Sequence, residues 1–261
     1  PGQPPQVCLV LGAGAGVGQA VARRFAREGF HVCCVRRGGG PGSLVGEEGR
    51  GQLEAFCAEL QADFGIRAMA MYADVTKPDD VKALISRIEA EVGPIEVAVY
   101  NVGAQVGSRS LEGTSYRIFE LAWRLGTLGA FATAKELAPA MLARNRGTLL
   151  FTSATAAVRG NRGQHAHAAA MAGRRALCQS LSHELGHRGV HVCHVVLDGP
   201  VNAPDTLGRM VPGLLERLPK DRILQPASIA ETYLALHRQP ADAWTLELDL
   251  RPSGETAWFN S

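Results

Sequence analysis

A chain of 261 residues, 46% hydrophobic and 20% charged, is long enough to bury a sizeable core, and one ordinary globular domain over 1–261 is expected. Its formal net charge of +2 is too small to argue for nucleic acid or an anionic membrane surface as a partner. No apolar run reaches the length of a membrane span, and PGQPPQ lacks the charged and apolar regions of a signal peptide, so a cytoplasmic location is expected.

The six cysteines show no C-x-x-C spacing. Cys8, Cys33 and Cys193 fall inside apolar segments and read as small core residues in a reducing compartment. His165 and His167 form the closest histidine pair but lie on different sides of a helix, and no metal site is expected.

The first predicted element, Val7 to Leu11, has the length and bulk of a strand buried on both faces. Gly12, Gly16 and Gly18 follow in the spacing G-x-x-x-G-x-G, and a helix starts at Val17. Strand, glycine turn and helix in that order let backbone amides approach a pyrophosphate, with the positive helix end facing it. A second strand, Phe30 to Val35, runs into Arg36 and Arg37. Arginine pairs with a ribose 2′-phosphate where an acidic residue would accept from a 2′-hydroxyl, which favours NADP(H) over NAD(H); solvated surface arginines are the alternative.

Residues 38–51 hold seven glycines and one proline, and a mobile loop with neither helix nor strand is expected there. A helix from Gln52 to Phe64 and a strand from Ala68 to Tyr72 lead to Asp74 and Val75. Asp74 suits either an adenine amino group or the cap of a helix starting near Pro78, for which Thr76 and Asp79 compete, and a helical pattern runs over Val81 to Val92. Strand Val97 to Tyr100 ends in Asn101 and Gly103. The helical region Ser115 to Asn145, softened by Gly126 and Gly129, is too apolar for one buried stripe, so part of it is expected to pack on another subunit. Strand Thr148 to Thr152, Ser153, helix His165 to Leu185 and strand His191 to Leu197 follow, then Asp198, Gly199 and Pro200. A variable segment, 201–224, precedes helix Pro226 to His237 and strand Trp244 to Leu250. Such alternation predicts an α/β fold: a single doubly wound Rossmann-type domain on a parallel seven-stranded sheet, with helices on both faces.

Taken together, GAGAGVG, Asp74-Val75, Asn101 with Gly103, the small-residue helix after Ser153 and the Val-Leu-Asp-Gly-Pro at 196–200 resemble the short-chain dehydrogenase/reductase family over essentially the whole chain. The resemblance implies a carbonyl or alcohol oxidoreductase with a small-molecule substrate, NAD(P) lying across the strand ends, and a homodimer or homotetramer. Gly12, Gly16, Val17 and Gly18 then resemble the pyrophosphate loop, Asp74 and Val75 the adenine contacts, and Asn101 with Gly103 the segment under the cofactor, with Gly199 and Pro200 beside it. Leu11 stands where the family commonly has threonine.

The family's catalytic set is a tyrosine, a lysine four residues later, a serine and an asparagine. Here His167 stands at the tyrosine position, Met171 at the lysine position and Gly126 at the asparagine position. The serine is Ser153 in one register and Ala154 in another. His167 suits a replacement acid, a ligand contact or a residue of no chemical role, whereas Met171 carries no charge. Arg174 and Arg175 suit a phosphate, a carboxylate or a solvated face. Three functions are compatible: an NADP(H)-dependent oxidoreductase with a non-standard active site, a catalytically inactive dinucleotide-binding scaffold or sensor, and a non-redox lyase or isomerase using His167. Met210, Val211, Leu214 and Leu215 in the segment expected to lie over the pocket suggest an apolar or aromatic ligand.

Overall fold

Seven short segments rich in apolar residues pair as parallel strands, an arrangement that needs cover on both faces of the sheet. The computed structural model describes residues 6–38, 46–209 and 211–254. Its strands are β1 Val7–Leu11, β2 His31–Arg36, β3 Ala68–Tyr72, β4 Ile95–Tyr100, β5 Gly147–Ala154, β6 Val190–Leu197 and β7 Glu247–Leu250. They lie in the order β3-β2-β1-β4-β5-β6-β7, every pair parallel. This is the doubly wound α/β sheet expected from the alternation of segments.

Helices α1 Val17–Arg27, α2 Gly46–Phe64, α3 Pro78–Glu91, α4 Tyr116–Trp123, α5 Gly129–Ala143, α6 His165–Leu185, α7 Leu214–Arg217 and α8 Pro226–His237 fill the connections. Phe25, Leu53, Leu60 and Tyr233 from α1, α2 and α8 bury one face of the sheet; Ile88, Leu137 and Cys178 from α3, α5 and α6 bury the other. All six cysteines are free and buried. The direction of winding reverses between β1 and β4, which opens a crevice at the C-terminal ends of those strands.

Two expectations are corrected. The glycine-rich stretch 38–51 is not loop throughout, because α2 begins at Gly46; residues 39–45 lie outside the described residues. Burial of Leu53, Phe56, Cys57 and Leu60 against the sheet outweighs the roughly 1 kcal/mol that each helical glycine costs. Second, β5 runs two residues beyond Thr152, so Ser153 and Ala154 are strand residues. The region 115–145, softened at Gly126 and Gly129 as expected, is two helices joined by a π-helical turn, Arg124–Leu128. The Tyr100 hydroxyl donates to the Leu125 carbonyl at 2.6 Å, entering the helical ladder from β4 and supporting the wider turn. Tyr116, Phe119, Trp123 and Phe131 are left exposed along this region. Among the described residues no helix is long and apolar enough to cross a membrane.

Candidate functional site

The crevice holds a cleft of about 500 Å³ lined by Gly12, Gly16, Val17, Gly18, Arg36, Arg37, Asp74, Val75, Asn101 and Gly103, together with Val102, Leu125, Val201 and Ala203. Gly199 and Pro200 are not among its walls. A Cβ at Gly199 would lie 2.8 Å from Pro252 Cδ, so that glycine allows close packing of the C-terminal segment.

Two glycines make the first turn possible. Gly12 has φ +88°, and a Cβ there would lie 2.8 Å from the Asn101 backbone; one at Gly18 would lie 2.3 Å from the Gly12 carbonyl oxygen. The turn is tied to both neighbouring strands: the Gly12 and Ala13 amides donate to Val35 O at 2.9 and 3.0 Å, and Asn101 Nδ2 donates to Gly12 O at 3.0 Å. No side chain caps α1 and no acidic residue sits in its first turn, so its positive end faces the cleft uncompensated.

Arg36 is the last residue of β2, half-buried, and desolvation pulls its guanidinium below the usual arginine range. Arg37 beside it is exposed. Asp74 Oδ1 accepts from the Thr76 amide at 3.0 Å and from its hydroxyl at 2.7 Å. Asp74 does not cap α3, whose cap position is Lys77 with no side-chain bond; the local turn instead fixes its carboxylate at the cleft wall.

Beyond Leu125 the surroundings turn apolar. Ser153 is buried, and its hydroxyl lies 3.9 Å from Met171 Sδ. Met171 is itself buried with Ala104, Ala122, Ala157, Ala166 and Ala170. A Cβ at Gly126 would come within 3.0 Å of the Met171 methyl and 2.7 Å of Ala170 Cβ, so Gly126 is the residue that leaves room for Met171. His167 bonds to the Ala104 backbone while its Nδ1 is buried without a hydrogen-bond partner, and burial holds its pKa below the usual histidine value. The ring is therefore neutral at pH 7.

Arg174 is where the expectation fails most clearly. It bonds no carboxylate among the described residues and is not solvated: at 1% exposure it is among the largest fully buried side chains. Nε donates to Gly126 O at 2.7 Å, Nη1 to Thr152 O at 2.5 Å, and Nη2 to Val102 O at 2.7 Å and Leu125 O at 3.4 Å. Its guanidinium lies 4.8 Å from the centroid of the Tyr100 ring. The one signal in the sequence is its place three residues after Met171, on the same helical face. Arg175 does find a carboxylate, bonding Glu247 through Nε at 2.6 Å and Nη2 at 2.8 Å. Among the described residues, no group of three or more His, Cys, Asp or Glu residues is placed to hold a metal ion.

Residues 6–206 match the family model of the short chain dehydrogenases. The chain belongs to the short-chain dehydrogenase/reductase family. Similar members include the 3-oxoacyl-(acyl-carrier-protein) reductase FabG of Staphylococcus epidermidis, 28% identical over 233 residues, which span 86% of this chain and 88% of that one. Among solved family structures, a short-chain dehydrogenase from Rhodopseudomonas palustris is 32% identical with a TM-score of 0.77, over 95% of this chain and 98% of that one. An alcohol dehydrogenase from the archaeon Thermococcus sibiricus, complexed with 5-hydroxy-NADP, shares the fold at 24% identity and a TM-score of 0.80, over 97% of this chain and 98% of that one.

Proposed function

We propose that this chain binds NADP(H) in the cleft and acts as a carbonyl or alcohol oxidoreductase with a non-standard active site. The observation that carries the reading is that the uncapped end of α1 and the two arginines Arg36 and Arg37 line one continuous cleft. A diphosphate fits the former and a 2′-phosphate the latter, whereas NAD(H) leaves both arginines without an anionic partner. The Thermococcus sibiricus relative, complexed with 5-hydroxy-NADP, supports this choice. When bound, the cofactor supplies or takes up a hydride. This chain's own share is to orient it with Asp74, Val75, Asn101 and Gly103 and to exclude water with Val201 and Ala203; Ser153, which is buried, and His167 are the candidate catalytic groups, and neither is among the walls of the cleft. An apolar or aromatic small molecule suits the apolar walls Val102, Leu125, Val201 and Ala203.

The Ser153 hydroxyl donates to Met171 Sδ among buried alanines, which favours a second reading, a catalytically inactive dinucleotide-binding scaffold or sensor. A neutral His167 committed to Ala104 is a poor proton donor, and general acid catalysis is worth about 10²–10⁴-fold. A cytoplasmic setting and assembly into a homodimer or homotetramer belong to the same proposal, supported by the free cysteines and the exposed aromatic residues of α4 and α5.

Calorimetry with NADPH and NADH, followed by NADPH oxidation against aldehydes, ketones and quinones, separates the readings. Turnover abolished by His167→Ala supports the enzyme; tight binding without turnover supports the scaffold. No binding of either nucleotide refutes both. Arg36→Ala with Arg37→Ala is expected to weaken NADPH about 10–100-fold with little effect on NADH, as befits lost charged hydrogen bonds. Equal losses refute the 2′-phosphate assignment.

A further inference from the structure

Arginine keeps its charge at any working pH, and a buried one is ordinarily matched by a carboxylate. Arg174 has no carboxylate partner among the described residues, and its positive charge is met by backbone carbonyl oxygens and the face of Tyr100. Those carbonyls come from three separate places: Val102 just after β4, Leu125 and Gly126 in the π-helical turn, and Thr152 in β5. A carbonyl in a widened turn or near a strand end has lost a regular donor and needs another. One planar group with five donors satisfies all of them at once, which a lysine ammonium with three donors in another geometry cannot do.

Val102 and Leu125 are also walls of the cleft, and Val102 follows β4, on the opposite side of β1 from the β2 end that carries Arg36 and Arg37. Thr152 directly precedes Ser153. Arg174 thus stands immediately behind the wall against which the nicotinamide half of the cofactor would rest, and ties that wall to the strand carrying Ser153. Met171, one helical turn earlier, places only a thioether beside Ser153. The positive charge on this helix face is therefore set behind the wall and acts on a ligand through the backbone groups it holds.

Resting on the cofactor reading above, we infer that Arg174 is a positioning residue for the nicotinamide-ribose end of the cleft, holding Val102, Leu125, Gly126 and Thr152 in the one arrangement that fits it. Two probes distinguish this role from general support of the fold. NADPH spans the whole cleft, whereas adenosine 2′,5′-bisphosphate occupies only the Arg36–Asp74 end. In Arg174→Lys and Arg174→Leu, NADPH is expected to bind about tenfold more weakly, the equivalent of about one charged hydrogen bond misplaced, with the bisphosphate within about twofold of the unaltered protein. Tyr100→Phe removes the donor to Leu125 O while keeping the ring under Arg174, and is expected to give a smaller loss with the same selectivity; it serves if both Arg174 variants fail to fold. Equal losses for the two probes, no loss for either, or full recovery of NADPH binding by lysine overturn the inference while leaving the cofactor reading standing. Failure of the unaltered protein to bind either probe removes the cofactor reading and this inference with it.

Discussion

His194 and His237 make the fold acid-sensitive in a way that can be calculated. His194 on β6 is 1% exposed, with Nδ1 3.0 Å from Glu247 Oε2; His237 at the end of α8 places Nδ1 2.9 Å from the Thr148 hydroxyl, against Phe25 and Phe30. Burial is the leading cause that lowers both to a pKa of about 4, and for His194 it outweighs the opposing pull of Glu247. In the unfolded chain each returns to about 6.5, so below that pH the unfolded state takes up protons that the folded state refuses. Their contribution is therefore complete above about pH 7 and is lost as pH falls from about 6.5 towards 4. Between pH 7 and pH 5 each histidine costs roughly 2 kcal/mol, together about 4 kcal/mol out of the 5–15 kcal/mol typical of a domain. Glu247 is held below the usual carboxylate range, chiefly by Arg175, and stays ionised across this window. Urea unfolding of the unaltered protein and of His194→Asn/His237→Asn, at both pH values, isolates the effect, because asparagine keeps a polar atom near Nδ1 but does not titrate. The unaltered protein is expected to lose about 4 kcal/mol more than the double variant. Equal losses refute the reasoning.

Gly18→Ala puts a Cβ against the Gly12 carbonyl and is expected to cost about 1–3 kcal/mol in thermal melting and to abolish NADPH binding. Met171→Lys buries an ammonium among alanines beside a second cation and is expected to destabilise by several kcal/mol without raising NADPH oxidation, whereas Met171→Leu costs less than about 1.5 kcal/mol. A stable, more active lysine variant contradicts this account of the Met171 site. In light scattering the unaltered protein is expected to be a dimer or tetramer and Trp123→Glu/Phe131→Glu a smaller species; a monomeric unaltered protein refutes the assembly.

The parts of the fold that were legible were those with local causes. Val7–Leu11 and the Gly12-to-Gly18 turn declare themselves because a strand covered on both faces must be apolar throughout, and because only glycine tolerates the backbone contacts at 12 and 18. The α2 start at Gly46 was hidden because the tertiary burial seen for that helix lies at Leu53, Phe56, Cys57 and Leu60, well past its glycine-rich start. The π-helical turn was hidden because its support comes from Tyr100, a residue distant in sequence. The candidate site divides along the same line. Arg36 and Arg37 follow directly from their place at a strand end, whereas the partners of Arg174 are main-chain oxygens, which every residue possesses and no side-chain pattern reveals.

The wide turn at Arg124–Leu128 also sets a rotational phase. Along an unbroken α-helix the eight steps from Trp123 to Phe131 would leave the two rings about 80° apart around the axis. A turn that absorbs one extra residue makes those eight steps equivalent to seven, which brings the rings within about 20° of one another. Phe119, Trp123 and Phe131 thereby line up as a single seam on the outside of the molecule. Straightening the turn into regular α-helix with all its residues in place would swing α4 by about 100° and split that seam, whereas deleting one residue between 124 and 128 would leave seven regular steps and keep it.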